Sequence, residues 1–572
     1  MKKPNIILVM TDDQGYGDLG CTGNPWIQTP HIDAFHSDSV RLTDFHVSPL
    51  CTPTRGALMS GRRPIRNGAW ATCWGRSILR KTEVTMANVF ADNGYATGMF
   101  GKWHLGDNYP YRPQDRGFQH VVAHLGGGVG QTPDFWGNNY FDDSYRHNGE
   151  LVSHEGYCTD IWFEEATKFV ETNKDQPFFA YIATNAPHCP YLVADKYKDL
   201  YKDNPDIPEP AFYGMITNID ENFGALDAKL KELGIADNTI LIFMTDNGSS
   251  GGASLGENGL ATQGYNAGLR GMKGSYYDGG HRAPFFIRWP DGKLQGGHDL
   301  GAMSMHVDLL PTFIDLCGLQ HPEGVEFDGD SFADYLTGKE ETRPERTQIM
   351  QIRQSTEPPD QWTNAVLTQR WRLVYGKELY DIATDPSQQN DVAEQHPDVV
   401  ALLRSEHEAW WAEVTPTLDQ FCHISLGNDA ENPTRLDAMD VMGDVAWHQT
   451  MIVRAKQSTG RWNVDVEQPG SYTFSLRRWP EELGLPIDAA VSAEDADSHI
   501  YAPGDGVCNT IAPVKARLKL FDQEWTQPVE PGIEAVTFTV DMEQTGETQL
   551  EAWFIDETGD ECGAYYVYVE RI

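Results

Sequence analysis

The sequence predicts an α/β fold in which a large, mostly parallel sheet is flanked by helices. Short apolar runs alternate with helical patterns through the first part of the 572-residue chain, and polar residues directly follow most of these runs. The predicted strands cover residues 6–10, 95–100, 178–184, 239–245 and 285–289, and the predicted helices include 85–93, 159–171 and 211–233. Ligands of open α/β sheets bind beyond the carboxyl ends of the strands, so we expect these polar residues to converge.

The pattern changes at about residue 348 and predicts two further units. Short strand-like runs followed by a helical pattern indicate a small antiparallel subdomain, and a loop-rich stretch comes after it. Strict alternation of apolar and polar residues then predicts an all-β accessory module. The strand-like runs are 365–369, 372–375 and 378–381, the helix is 397–411, the loop-rich stretch is 415–435, and the alternating runs include 462–466 and 472–476. The predicted units are the α/β domain at 1–347, the subdomain with its linker at 348–435 and the β-rich module at 436–572.

The charge balance limits the partners of this protein. Its formal net charge is −40, which argues against nucleic acid, because phosphate binding requires a basic surface. An acidic, solvated surface favours solubility. An anionic substrate would therefore need a few local cations to hold it.

The cysteines and the first residues of the chain indicate the cellular compartment in which the protein is expected. Nine cysteines without a C-x-x-C pair do not indicate a disulfide framework. The apolar run at 5–10 ends in acidic residues and is typical of a strand rather than a signal peptide, and no stretch is long enough for a membrane span. We expect a cytoplasmic protein from the chain as given, or a periplasmic or secreted one if a leader precedes it.

Two strands end in the same way. Asp12 and Asp13 follow the run at 6–10, and Asp246 and Asn247 follow the run at 239–245. One such pair alone is more often a loop or helix cap. Four oxygen donors meeting at one sheet edge would suit a hard cation, Ca²⁺ or Mg²⁺.

The run at 48–62 contains a C-x-P-x-R pattern formed by Cys51, Pro53 and Arg55. Proline suits the first turn of a helix, whose N-terminus stabilises negative charge beside the cysteine. A buried structural cysteine is the alternative interpretation. The pattern resembles the maturation signature of the type I, formylglycine-dependent sulfatases of the alkaline-phosphatase superfamily, in which this cysteine becomes Cα-formylglycine.

Further cations and histidines match the same family in identity and chain order over about residues 5–390. Taken singly, a lysine is usually a solvated charge and a histidine a structural residue. The resemblance implies three overlapping sets of site residues. The catalytic set is Cys51, Arg55, Lys102, His104, His188 and Lys273; the substrate-binding set is Lys102, His188 and Lys273; the metal set is Asp12, Asp13, Cys51, Asp246 and Asn247. Cys189 and His281 stay unassigned, as packing or substrate-rim residues.

The resemblance also implies a mechanism and partners. A formylglycine diol at position 51 attacks sulfur, Lys102 and Lys273 hold the sulfuryl oxygens with Ca²⁺ or Mg²⁺, His188 protonates the leaving oxygen, and His104 deprotonates the second hydroxyl. A formylglycine-generating maturation enzyme is an implied partner. The Gly- and aromatic-rich loop at 126–140 is expected to shape the leaving-group pocket, which favours a sulfated carbohydrate over a small aryl or alkyl sulfate.

Two other functions stay open at this point. A phosphonate or phosphate monoester hydrolase of the same superfamily can share the formylglycine motif, and relative turnover of aryl sulfate and aryl phosphate would separate the two. An inactive sulfatase-like binding protein would have lost motif residues, and none is lost here. The oligomeric state is not indicated by the sequence.

Overall fold

The computed structural model describes residues 2–491 and 508–572, so residues 492–507 of the predicted β-rich module lie outside the described residues. The strands of the first unit are β1 Asn5–Thr11, β2 Val40–Leu42, β3 Phe45–His46, β4 Ala96–Lys102, β5 His120–His124, β6 Ser144–His147, β7 Glu150–Ser153, β8 Phe178–Ala183, β9 Thr239–Thr245, β10 Ala253–Leu255, β11 Ala261–Gly264, β12 Phe285–Arg288, β13 His298–Leu300 and β14 Ser304–Met305. Its helices are α1 Pro30–Asp38, α2 Cys51–Ser60, α3 Pro64–Asn67, α4 Met86–Asp92, α5 Cys158–Asn173, α6 Asp195–Lys198, α7 Pro210–Glu232, α8 Asp278–His281, α9 Leu309–Cys317 and α10 Ala333–Leu336. None of the described helices has the length and apolar composition needed to cross a bilayer.

Ten of the described strands form one mixed sheet, in the order β13-β2-β12-β9-β1-β8-β4-β5-β6-β7. The central strands from β9 to β5 are parallel, as predicted, whereas β12, β6 and β7 run antiparallel to their neighbours. The five predicted strands and three predicted helices are confirmed to within about two residues. The antiparallel direction of β12 explains why its run, alone among the five, does not end in polar site residues.

Continuous apolar sequence buries the centre of the sheet on both faces. Residues 6–10 of β1 have no exposed surface, as expected for a parallel strand covered on both sides. Ile6, Leu8 and Met10 point to one core and Ile7 and Val9 to the other, because successive side chains alternate between the faces. Helices α4 and α9 supply side chains to the first core, and helices α5 and α7 cover the second.

The second unit is a four-stranded antiparallel sheet with one helix, as the sequence predicts. Its strands pair in sequence order. Its elements are β15 Gln348–Met350, β16 Ala365–Leu367, β17 Trp371–Val374, β18 Glu378–Asp381 and α11 Pro397–Val414.

The third unit is β-rich and begins earlier than the predicted residue 436. Strand β19 lies inside the predicted loop-rich stretch, and β20 crosses its end; β19 pairs with β21, and β20 with the last strand, β28. Such three- and four-residue strands are too short to show a periodic pattern, and they are identified by their pairing with distant strands and their burial in the core of the unit. The elements are β19 Ile424–Leu426, β20 Thr434–Asp437, α12 Gln449–Val453, β21 Arg461–Val466, β22 Gly470–Arg477, β23 Pro513–Leu520, β24 Gln523–Pro528, β25 Val536–Met542, β26 Gly546–Asp556, β27 Glu561–Gly563 and β28 Tyr566–Arg571.

A buried ion-pair network joins the first two units. Arg372 of β17 has no exposed surface, and its Nε and Nη2 donate to Asp278 Oδ1 at 3.0 Å and Asp44 Oδ1 at 3.2 Å. Asp44 also contacts His46 Nε2 at 2.9 Å. Because removing one partner leaves buried charge uncompensated, this network is sensitive to single substitutions.

We therefore expect Arg372→Met to lower the free energy of unfolding by about 3–5 kcal/mol, since Asp278 and Asp44 lose their buried cation. Arg370→Met is the matched control. Arg370 lies two residues away and pairs with Asp381, but its side chain is 55% exposed, and such pairs contribute at most about 1 kcal/mol. Urea unfolding of both variants checks the difference, and equal losses would contradict it.

Candidate active site

The predicted meeting of two strand ends is present in the structure. Strands β1 and β9 are parallel neighbours in register from Asn5 opposite Thr239 to Thr11 opposite Thr245, so the residues that follow both strands lie side by side. The Asp13 N–H donates to Asp246 Oδ1 at 3.0 Å, and Asn247 Nδ2 donates to Asp13 Oδ1 at 2.9 Å. Asp13 has a φ of 67°, and this left-handed turn is one that aspartate tolerates.

Helix α2 brings the cysteine motif to the same place. The helix begins at Cys51 and places Pro53 in its first turn, as predicted. Cys51 Sγ lies 3.8 Å from Asp13 Oδ1, and Cys51 is 2% exposed. Arg55, one turn later, donates from Nη2 to Asp246 Oδ2 at 2.9 Å and lies 3.6 Å from Asp12 Oδ1. The guanidinium thus balances the two carboxylates beside the cysteine.

Two lysines neutralise the other carboxylate oxygens. Lys102 is the last residue of β4, and its fully buried Nζ donates to Asp12 Oδ2 at 2.6 Å. Lys273, on a loop, donates from Nζ to Asp13 Oδ2 at 2.6 Å, and its side chain is 23% exposed. The structure therefore places one lysine deep in the site and the other nearer solvent.

These charges move the pKa values of the site in opposite directions. Burial alone raises the pKa of Asp13, but Lys273, His188 and Lys102 outweigh it and hold that pKa well below its ordinary value. Burial opposes the charge on Lys273, yet Asp13 holds the pKa of Lys273 well above its usual range. Burial and the neighbouring Asp12 raise the pKa of Asp246 to about 7. Burial and like charge therefore oppose the ionised form of Asp246, and a further cation beside it would favour that form.

The two predicted histidines have defined tautomers. His104 Nε2 lies 3.0 Å from the carbonyl oxygen of Thr72, which can only accept a hydrogen bond, so Nε2 carries the proton and Nδ1 the lone pair. Burial and Lys102 hold the pKa of His104 well below its ordinary value, which keeps the ring neutral. By the same reasoning His188 donates from Nδ1 to the carbonyl of Cys189 at 2.6 Å, and its Nε2 lies 3.6 Å from Asp13 Oδ2.

Comparison with known proteins gives the family of this chain. A family model described as Sulfatase matches residues 4–319. The chain belongs to the sulfatase family. Sulfatases are sulfuric ester hydrolases of the alkaline-phosphatase superfamily, and a second model, described as N-sulphoglucosamine sulphohydrolase, C-terminal, matches residues 272–410.

Similar sulfatases are found in distant organisms. The chain is 31% identical over 367 residues to an arylsulfatase of Hemicentrotus pulcherrimus. This match covers 58% of this chain and 62% of the arylsulfatase. The chain is 29% identical over 493 residues to an N-acetylgalactosamine-6-O-sulfatase of Bacteroides thetaiotaomicron, covering 70% and 92%. Among solved structures, Ps i-CgsB in complex with k-i-k-neocarrahexaose has a TM-score of 0.63 at 29% identity and covers 72% of this chain and 93% of that one.

The 126–140 loop of this sulfatase approaches the histidines through its glycines. A Cβ added at Gly127 would overlap the His104 ring, and one added at Gly128 would lie 2.9 Å from His188 Cε1. Two aromatic residues of the loop are buried: Trp136 is 7% exposed and packs edge-on against Trp479, and Tyr140 is fully buried with its hydroxyl on the His188 carbonyl. The glycines are thus the part of this loop that lies against the histidine rings.

The two unassigned residues have structural contacts. His281 Nδ1 lies 3.0 Å from His46 Nδ1 in the network around Arg372, and the Cys189 carbonyl orients His188. His46, Asp278 and His281 could geometrically hold a metal ion; Arg372 Nε bonds to Asp278 Oδ1, and Asp278 Oδ2 has no hydrogen-bond partner among the described residues. His281 is fully buried, which fits a packing residue and not one on the substrate rim.

Sequence reasoning missed the residues that hold the histidines in place. Thr72 supplies the carbonyl to His104, and Gln354 of the second unit fixes Thr72 through two hydrogen bonds of 2.9 and 2.7 Å. The Tyr140 hydroxyl donates to the carbonyls of His188 and Asn185. A threonine carbonyl or a remote glutamine has no local pattern, so only the run of glycines at 126–128 was a usable signal.

Proposed function

We propose that this sulfatase hydrolyses the sulfate ester of a sulfated carbohydrate, using a formylglycine made from Cys51 and a bound divalent cation. One observation carries the proposal: Cys51, Asp13 and Lys273 meet within hydrogen-bonding or contact distance at the shared carboxyl end of β1 and β9. A nucleophile position, a carboxylate cage and fixed cations are the parts that sulfuryl transfer requires.

The residues present fit a hard cation. Asp12 Oδ1 and Asn247 Oδ1 are buried acceptors without a hydrogen-bond donor, and buried acceptors normally have one. Asp12, Asp13, Asp246 and Asn247, with position 51, would hold the ion. Such a cage of several protein oxygens suits Ca²⁺ better than Mg²⁺, which keeps more of its waters. When bound, the cation would neutralise charge developing on the sulfuryl oxygens.

Position 51 suits the proposed modification. As formylglycine it would supply a hydrated aldehyde, one hydroxyl of which attacks sulfur while the other allows release of sulfate. The position opens helix α2, whose first N–H groups and dipole favour negative charge there. A formylglycine-generating enzyme is then a necessary partner of this chain before it is active.

The remaining side chains divide the work of charge and proton transfer. Lys102 and Lys273 hold and neutralise the sulfuryl oxygens, and Arg55 fixes Asp246 and Asp12. His188 is 12% exposed and protonates the leaving alcohol from Nε2 in its cationic form, because its Nδ1 proton stays on the Cys189 carbonyl. His104, with its proton on Nε2, accepts a proton at Nδ1.

The carbohydrate part of the proposal is supported by similar proteins. One is named an N-acetylgalactosamine-6-O-sulfatase, another a Ulvan-active sulfatase of Formosa agariphila, and a similar solved structure holds k-i-k-neocarrahexaose. We infer the same substrate class here, without assigning the sugar.

A substrate panel tests the function. We expect sulfate release from at least one sulfated saccharide, and turnover of an aryl sulfate far above that of the matching aryl phosphate or phosphonate, because the catalytic domain is that of a sulfatase. Ion chromatography of released sulfate and phosphate measures both. Faster turnover of phosphonate would instead identify a phosphonate monoester hydrolase.

Peptide mass spectrometry tests the modification. In active protein, the peptide containing position 51 should have lost the thiol sulfur and gained an aldehyde oxygen, because the unmodified thiol lacks a second hydroxyl for sulfate release. Cys21, which lies outside the motif, is the internal control and should stay a thiol. Full activity with an unmodified Cys51 would refute this role.

Calcium removal and replacement test the cation. Adding Ca²⁺ to the chelated protein at 100 times Kd should stabilise the fold by about 2.7 kcal/mol and restore turnover. Asp246→Asn should lose both effects, because it removes a carboxylate from the cage. Asp237→Asn, an exposed aspartate before β9, is the control and should respond like the unchanged protein. A chelated enzyme with undiminished turnover would rule out the cation.

A further inference from the structure

The 126–140 loop, which touches both catalytic histidines, is held largely by a different unit of the chain. Its first glycines are fixed within the loop itself: Gly126 N–H donates to Asp134 Oδ2 at 2.8 Å, and Gly127 N–H donates to Gln131 Oε1 at 2.7 Å. Glycines contribute no side-chain packing and have much conformational entropy to lose. The order of the loop therefore depends on polar contacts with its surroundings.

One glutamine of the β-rich unit supplies several of those contacts. Gln449, the first residue of α12, is fully buried. Its Nε2 lies 3.2 Å from the carbonyl oxygens of Gln131 and Phe135, and its Oε1 accepts from the Gly137 N–H at 2.9 Å. Its own N–H donates to the Gly130 carbonyl at 2.9 Å. A single side chain thus satisfies three main-chain groups spread over seven residues of the loop.

Hydrogen bonds at Thr132 also connect the 126–140 loop to the β-rich unit. Thr132 Oγ1 donates to Asp437 Oδ1 at 2.7 Å, and the Thr132 N–H donates to the Trp447 carbonyl at 3.2 Å. Arg435 Nη2 donates to the Thr132 carbonyl at 2.5 Å. Buried main-chain groups that lose such partners either stay unsatisfied at a high cost or move.

The loop transmits this support to the histidines. Gly127 fills the space against the His104 ring, Gly128 lies against His188, and Tyr140 at the end of the loop donates to the His188 carbonyl. A shift of the loop would therefore move the rings that transfer protons, while leaving Asp12, Asp13, Lys102 and position 51 on their own strands and helix.

We propose that Gln449 is a positioning residue for proton transfer, acting from the β-rich unit through the 126–140 loop on His104 and His188. This role rests on the proposed sulfate-ester hydrolysis. It assigns the β-rich unit a part in catalysis without contact with substrate. The proposal also predicts that loss of the contact slows the protonation of the leaving group. A sugar alkoxide must be protonated as it leaves, whereas 4-nitrophenolate needs little protonation.

Gln449→Met tests the proposal, since methionine keeps the length and bulk of the side chain but loses its three polar contacts. We expect kcat for a sulfated saccharide to fall about 10–100-fold, within the range that general acid–base catalysis contributes. Turnover of 4-nitrophenyl sulfate should fall less, because this ester shares the proton transfer at His104 but needs little protonation by His188. Formylglycine and calcium contents should not change. Gln549→Met is the control for the same substitution elsewhere in the β-rich unit: Gln549 is exposed, and its Nε2 bonds to Asn463, away from the loop.

Amide hydrogen exchange provides a second measurement that needs no substrate. In Gln449→Met the amides of Gly127, Gly128 and Gly130 should exchange faster, while those of β1 and β9 stay protected. If Gln449→Met does not fold, Thr132→Val replaces it, because this substitution removes the hydrogen bond from the loop to Asp437. Turnover of the two esters and amide exchange are then measured on Thr132→Val.

The outcomes are distinct. Equal losses on both sulfate esters, or unchanged exchange at 126–130, would overturn the positioning role. If the unchanged protein hydrolysed neither ester, the proposed function would fail on its own, and the exchange measurement would still decide whether Gln449 orders the loop.

Discussion

The structure depends on a balance of buried charge at the carboxyl end of β1 and β9. Asp12, Asp13 and Asp246 are withdrawn from water together, and Lys102, Arg55 and Lys273 each compensate one or two of their oxygens. Isolated buried charges would be too costly to keep, so each ion pair requires the elements that carry its partner to be in place. The sheet register, the start of α2 and the end of β4 are therefore fixed by one electrostatic requirement as much as by apolar packing.

Much of this arrangement could be predicted from the sequence, because it depends on patterns within short stretches of the chain. Apolar runs ending in acidic residues marked β1 and β9, and the Cys51 motif marked the start of α2. The parallel core of the sheet followed from the alternation of strands and helices. The antiparallel direction of β12 was not predicted.

What could not be predicted depends on contacts between residues far apart in the chain. Strands β19 and β20 are three and four residues long and are defined by partners up to 135 residues later, such as Val569 opposite Thr434. The support of His104 by Thr72 and Gln354, and of the 126–140 loop by Gln449, uses main-chain atoms that every residue has. Composition also does not say which way a side chain faces, and the burial of Trp136 and Tyr140 in that loop could not be predicted from it.

The burial of Cys51 bears on when the proposed formylglycine could be made. In the folded protein this residue is 2% exposed at the start of a helix whose residues are all buried, so an enzyme that makes the proposed modification would need access to it before folding. Strand β1 pairs with β8 and β9, which begin at residues 178 and 239, so the sheet around Cys51 cannot close until those segments are synthesised. At ordinary rates of translation this leaves roughly 10–40 seconds after Cys51 is made. The long-range topology that slows folding thus provides the time in which the cysteine can be oxidised.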